Sequence, residues 1–466
     1  MINSKLIRLY TSLNKKELRL FKKWIQSPIH NRHKEVIKLF SFLETRQSIS
    51  KTTVDRVRAF KHIYPNTTYD YHQLGHIMSY GCDCLISFFG FLESFLNDFE
   101  TKKHQIKGLL EHNHLKIGEQ LIHKTQKEQE KQSIRNDYFF LNSYQLEALF
   151  LDLNGPKQRT SSNNLPQLFD SLSNFFILAT LKYACIAISH QSIYKTAYQI
   201  PFLQKVLEQA KLSSEPSIQI YYHSYMSLKM PEQETHFHQL KRLIVDHATT
   251  LPHTEIRSMY MMAINYCVRR LNTGDKDYIK TALELYKQGL LLKILLEQNV
   301  LSNFTYINIV SLALHLKDYE WTHQFIKGYS KYLTLKHKEN YSNHATAKWY
   351  FAKGNYAECM QLLIQVEYDD LFLSLDAKMI LLKIYYEENS FEVLDAFLHS
   401  FTVFLQRKEI MSYHKKNYLN IIRFTKKLLN TPSLDKEAKK QLQSDIEGAQ
   451  PLTERQWLLD QLQQIK

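Results

Sequence analysis

The stretch Trp349–Leu363, WYFAKGNYAECMQLL, carries the reading from which the fold follows. An apolar, aromatic segment runs into a short polar turn at Gly354 and Asn355, and Tyr356 opens a second apolar-periodic segment. The same arrangement, an aromatic residue directly after a short polar turn, recurs at Tyr278, Tyr319 and Phe391, so the four aromatics are 41, 37 and 35 residues apart. Three or four places after each stands a residue on the following helix face: Ala282, Thr322, Cys359 and Leu394. Helix pairs of this length cannot bury an apolar face alone and must stack on their neighbours. The spacing therefore predicts a series of antiparallel helix pairs.

Composition points the same way. The 466 residues include only 11 Gly and 10 Pro, about 4.5% together where roughly 12% is usual. Sandwiches, barrels and Rossmann-like folds need many Gly and Pro turns, so an all-α chain of long helices is expected. The chain is 44% hydrophobic and 23% charged, ordinary for a soluble globular protein. Five Cys, an odd number, accompany an N-terminal segment, MINSKLIRLYTSLNKKELRLFKKW, that has no apolar leader pattern. A reduced, cytoplasmic setting is expected. The most apolar stretches, Leu85–Leu96 and Phe175–Ser189, read as buried core helices with no membrane insertion, since the first is short and the second carries Lys182.

Charge is concentrated near the two ends of the sequence. The formal net charge is +14; residues 1–62 hold fifteen Lys and Arg against four acids, a net +11, and residues 405–440 hold ten against three, a net +7. In the first strong helix, Asn14 and Glu17 have the spacing of a capping box at the start of KKELRLFKKWI. Leu18, Leu20, Phe21, Trp24 and Ile25 share one arc of that helix, and Lys15, Lys16, Arg19, Lys22 and Lys23 share another. Pro28 ends the helix, and Asn31 is expected to cap the next, whose inward stripe is Val36, Leu39, Phe40 and Leu43. A basic face of this kind is either simply solvated or meets an acidic protein, nucleic-acid phosphates or anionic lipid. No zinc-finger spacing or other DNA- or RNA-reading module accompanies it.

Helical periodicity continues over 54–63, breaks at Tyr64-Pro65-Asn66, and resumes over 69–99, with further helices near 105–131 and 134–152. Residues 154–167 concentrate turn formers without apolar period, which makes them the expected linker between an N-terminal helical domain with a basic face, 1–153, and a helical-repeat domain, 168–466. A last amphipathic helix is expected to begin at Thr453, with Trp457, Leu458, Leu462 and Ile465 as its apolar set.

Two resemblances add to this. Residues 349–363 resemble the join between the two helices of a tetratricopeptide repeat; by that resemblance Gly354 ends the first helix, Tyr356 packs on the pair and the small Cys359 lets the helices approach. It covers residues 260–410 and is strongest at 345–365. The period exceeds the 34 residues of that family, Thr322 and Leu394 replace the usual Ala, and no Pro closes the units. It implies a degenerate tetratricopeptide-like α-solenoid. In the N-terminal half, SPIHN (27–31) followed by VIKLFSFL (36–43), Tyr64-Pro65, Tyr69-Asp70 and His72-Gln73-Leu74 resembles a family of uncharacterised bacterial helical proteins, which implies no activity.

The chemistry-bearing motifs are sparse. The sequence has no phosphate-binding Gly-rich loop, no Gly-x-Ser-x-Gly elbow and no His-Glu-x-x-His helix. His72, His76, Cys82 and Cys84 are the best metal-like cluster, but on one helix Cys82 and Cys84 diverge by about 200°, so convergence would need a break at Gly81. His112 with His114 and His236 with His238 read as solvated, and Glu367, Asp369 and Asp370 as a charge cluster at a helix N-terminus. We therefore expect a non-enzymatic scaffold or adaptor without metal or cofactor. It is expected to bind a protein or peptide, acidic in character, through Lys15, Lys16, Arg19, Lys22, Lys23, Tyr350 and Tyr385. The alternative is nucleic-acid association through residues 15–38 and 407–427.

Overall fold

In the computed structural model, which describes residues 1–46, 53–154, 163–194, 196–272, 274–364, 370–407, 412–432 and 434–465, the chain is α-helical almost throughout. The helices of the first part are α1 (Lys5–Ser12), α2 (Lys15–Gln26), α3 (Lys34–Glu44), α4 (Arg56–Ile63), α5 (Tyr71–Leu96), α6 (Asp98–Glu111), α7 (Leu115–Glu130) and α8 (Asp137–Asn154). Then come α9 (Leu165–Tyr194), α10 (Leu203–Leu212), α11 (Pro216–Lys229), α12 (Glu234–Asp246), α13 (His253–Asn272) and α14 (Tyr278–Leu291). A hairpin of two-residue strands, β1 (Leu296–Glu297) and β2 (Val300–Leu301), turns through Gln298 and Asn299, both at positive φ as a tight two-residue hairpin turn requires. The remaining helices are α15 (Asn303–His315), α16 (Tyr319–Tyr329), α17 (Lys338–Ala352), α18 (Tyr356–Ile364), α19 (Leu371–Glu387), α20 (Phe391–Arg407), α21 (Ser412–Asn430), α22 (Lys436–Gly448) and α23 (Arg455–Gln464).

The four recurring aromatics occupy one structural position: Tyr278, Tyr319, Tyr356 and Phe391 are the first residues of α14, α16, α18 and α20. Ala282, Thr322, Cys359 and Leu394 are all completely buried. Each pair is joined by the same turn. Gly274, Lys317, Gly354 and Asn389 adopt the left-handed conformation, with φ of 99°, 57°, 77° and 55°. The next residue's amide reaches back five positions: Asp275 to Arg270, Asp318 to Ala313, Asn355 to Tyr350 and Ser390 to Tyr385, all at 2.9–3.1 Å. These bonds satisfy carbonyls that the helix end would leave without partners.

The chain packs as two units, Met1–Thr180 and Leu181–Lys466. Of the expected linker, residues 155–162 lie outside the described residues, and 165–167 form the first turn of α9. In the first unit α1, α2 and α3 pack on α5 and α4 packs on α3, enclosing a core that includes Leu6, Phe21, Leu39, Phe60, Leu85 and Phe88. Helices α6, α7 and α8 pack on one another around Ile106, Ile122 and Leu146. In the second unit, from α11 onward, each helix packs mainly on those one or two places away in sequence, and α23 also reaches back to α19, where the Trp457 indole donates to Glu387 at 2.8 Å.

Several local expectations need correction. The helix expected near 105–131 is two helices, because Asn113 turns left-handed at φ 62° and separates α6 from α7. Asn31 caps nothing: it is buried, its side-chain amide donating to the carbonyls of Ile25 and His33 and its oxygen accepting from the His33 amide, so it locks the turn before α3. Thr453 does not open the last helix, which begins at Arg455; it is held instead by Asn417, through both its amide and its hydroxyl. The stretch Phe175–Ser189 is not a wholly buried helix, since Phe176, Tyr183 and Ile186 are exposed, and Ile86, Phe95 and Leu96 of α5 are exposed as well.

A basic groove as candidate functional site

The capping box at Asn14 fixes where α2 begins and hence which way its charged face points. Asn14 Oδ1 accepts from the amides of Lys16 and Glu17 at 2.9 and 3.0 Å, and Glu17 Oε2 accepts from the Asn14 amide at 2.8 Å. With the helix anchored there, Phe21, Trp24 and Ile25 are buried in the core. Phe21 packs edge-on against Phe40 of α3 at 4.8 Å and against Phe88 of α5 at 5.0 Å. That contact ties α2 to α3, and both helices pack on α5.

Between them, lined also by Tyr10 and Leu13 of the α1 segment, lies a solvent-open groove of about 920 Å³. Leu18, Phe21, Ile37, Phe40 and Leu43 contribute its apolar lining. Lys15, Arg19, Lys22, Lys23 and Arg46 contribute cations, against the single carboxylate of Glu44. Lys22 pairs with Glu44 at 2.9 Å, with both side chains more than half exposed, so this surface bridge contributes little to stability. The buried Tyr10 hydroxyl has its pKa raised, first by desolvation and then by the Glu44 charge. The groove thus offers a greasy lining under a strongly positive rim. In its lining the Ser41 hydroxyl donates to the Lys38 carbonyl at 2.9 Å and lies 3.1 Å from His62 Nε2.

Four of the five cations expected on α2 line this groove; Lys16 is exposed on α2 outside it. Tyr350 and Tyr385 belong to the second unit and to different core clusters. Tyr350 is half-buried against the cluster around Ala347 and Cys359, and Tyr385 is half-buried against Phe397 at 5.4 Å. The second basic segment is partly neutralised: Lys427 pairs with Asp445 at 2.6 Å, and Lys408 lies outside the described residues. Sequence reasoning missed Arg46 and the α3 side of the groove, because nothing in the local pattern shows that α2 and α3 border the same groove.

The other candidates resolve into structural roles. Helix α5 runs unbroken through Gly81, whose bare Cα admits Leu6 and Phe40, so His72 and His76 do not meet Cys82 and Cys84. Among the described residues no three His, Cys, Asp or Glu side chains converge as metal ligands. Asp370 caps α19 through the amides of Phe372 and Leu373 and accepts the Tyr341 hydroxyl at 2.7 Å; Glu367 and Asp369 lie outside the described residues. His238 is exposed, but His236 is half-buried against His223, with their Nδ1 atoms 3.0 Å apart, rather than solvated. Asp376 joins His344 and Lys348, each at 2.8 Å, and against the cost of desolvation the Lys348 charge and the hydrogen bond with His344 hold its carboxyl far below the ordinary range.

Comparison of the chain with protein-family models, with curated proteins and with solved structures gives no match.

Proposed function

We propose that the protein is a non-enzymatic binding module whose first unit holds an acidic, amphipathic segment of a partner protein in the groove between α2 and α3. The observation that carries this is the combination of an apolar lining with five cations facing one carboxylate. A helix or extended segment with one apolar and one acidic face would bury its apolar side on Leu18, Phe21 and Phe40 and set its carboxylates against the rim. Around α13 to α20, the repeated helix-pair geometry supports reading the second unit as a tetratricopeptide-like α-solenoid that serves as the larger scaffold. Tyr350 and Tyr385 have no part in this proposal, since their rings pack on core clusters. Buried thiols at Cys185, Cys267 and Cys359 fit a reducing, cytoplasmic setting.

Fluorescence anisotropy with a labelled model peptide tests the proposal: a helical peptide with Leu on one face and Glu on the other, compared with its Lys-for-Glu counterpart and with a single-stranded oligonucleotide. The acidic peptide should bind, the Lys peptide should not, and Arg19→Glu with Lys22→Glu should weaken binding by about 100-fold. Leu18→Ser should weaken it as well, because apolar area is lost. The second reading, nucleic-acid association, draws on the exposed cations of α2 and of residues 407–427. It predicts oligonucleotide binding that falls steeply with salt and ignores Leu18→Ser. Absence of peptide binding at low salt would refute the proposed function.

A further inference from the structure

Among the described residues helix α9 is the longest, yet it packs only lightly on other helices. At 30 residues it is about 45 Å long, and it is apolar on two sides. Leu178, Leu181, Ala184 and Cys185 form its buried side. On the other side Leu165, Phe169, Phe176, Tyr183 and Ile186 are 40%, 59%, 46%, 64% and 55% exposed.

The exposed side has a definite period. Phe169, Phe176 and Tyr183 are seven residues apart, and so are Leu165, Leu172, Ala179 and Ile186, with the two sets offset by alternate steps of four and three. That is the seam of a helix built to meet another helix, since a 3.5-residue repeat keeps one stripe facing a partner along its whole length. We infer that the seam is covered by the same helix of a second copy, and that the protein is a homodimer through α9.

Three observations favour a second copy. The positions flanking the seam include Ser173, Thr180, Lys182, Ala187 and Ser189, and the one charge among these, Lys182, is paired with Glu255 of the same chain at 3.0 Å, so two identical helices meet without strong like-charge repulsion and no oppositely charged partner is called for. The five exposed side chains amount to roughly 500 Å² per chain, and a symmetric pair would cover about 1,000 Å², the threshold of a specific interface. A lipid surround fits less well. Over Leu165–Gln191 this is the one helix, among the described residues, long and apolar enough to cross a membrane. However, Lys182 in its middle pairs with Glu255 of α13 at 3.0 Å, so a helix with charged surfaces occupies the side that lipid would need.

Light scattering and sedimentation equilibrium on the full chain decide the matter. The wild-type protein should have twice the 55.4 kDa chain mass over a wide concentration range. The double variant Phe176→Glu, Tyr183→Glu should weaken self-association about 100-fold and run at the single-chain mass, with far-UV circular dichroism unchanged to show that it is folded. Leu291→Glu, at an exposed apolar residue off the seam, should remain dimeric. Phe169→Ser provides a milder seam variant if the double variant does not fold. A monomeric wild type, or seam variants that stay dimeric, would overturn the inference. So would a monomeric wild type that floats with phosphatidylglycerol vesicles, which would assign the seam to lipid.

Discussion

His223 and His236 face each other with Nδ1 atoms 3.0 Å apart, so one ring must donate its N–H to the lone pair of the other and the two cannot both be charged in place. Burial, followed by the charges of His236 and Arg242, pushes the His223 pKa down to about 4. Burial and the nearby Lys211 lower that of His236 as well. Between pH about 4 and 6.5 the unfolded chain therefore binds more protons at His223 than the folded one, and stability rises with pH across that window. One such group contributes a slope of at most about 1.4 kcal/mol per pH unit. Urea unfolding midpoints measured from pH 7 down to 4 should fall, and His223→Gln should flatten the fall; an unchanged pH slope in that variant would refute the assignment. This pair was hidden from sequence because thirteen positions separate the two residues, and only the packing of α11 on α12 brings them together.

At the scale of the element, the turns between helices carry the most testable energetics. Lys317 and Gly354 hold the same left-handed position in two helix pairs, and a side chain there costs roughly 1–2 kcal/mol relative to glycine. Lys317 is exposed, so Lys317→Gly should stabilise the chain by about 1 kcal/mol, and Gly354→Ala should destabilise it by about the same. Denaturant midpoints at unchanged m-value are the measure; a shift of the same sign in both variants would show that the left-handed backbone is not what matters. These turns also show what was readable. Gly354 and the aromatic positions announce their helix starts, and Asn14 with Glu17 announces α2, because the chemistry is local. The break at Asn113 gave no glycine to signal it. The outward face of α9 was misjudged because apolar composition alone does not say which side is covered, and half of the groove was unseen because α3 meets α2 through tertiary contacts, Phe21 with Phe40 and Lys22 with Glu44.

For the whole molecule, packing between sequence neighbours in the second unit has a consequence for how it comes apart. Where each helix rests mainly on those one or two places away, loss of one core residue should loosen its neighbourhood and leave distant pairs intact. Phe401 of α20 is fully buried with Leu398, Ile421, Phe424 and Leu458, and Phe401→Ala should cost about 3–5 kcal/mol. Native-state hydrogen exchange resolved by peptide should then show amides of α20, α21 and α23 exchanging faster, because α20 packs on α21 and α21 on α23. Amides of α11 to α14 should keep wild-type protection, since these helices pack chiefly on α10 to α15 and their buried Tyr260, Tyr266 and Phe237 lie outside the core cluster that holds Phe401. Equal loss of protection in both regions would mean that residues 181–466 unfold as one cooperative body, and the stacked helix-pair reading of the second unit would have to be given up.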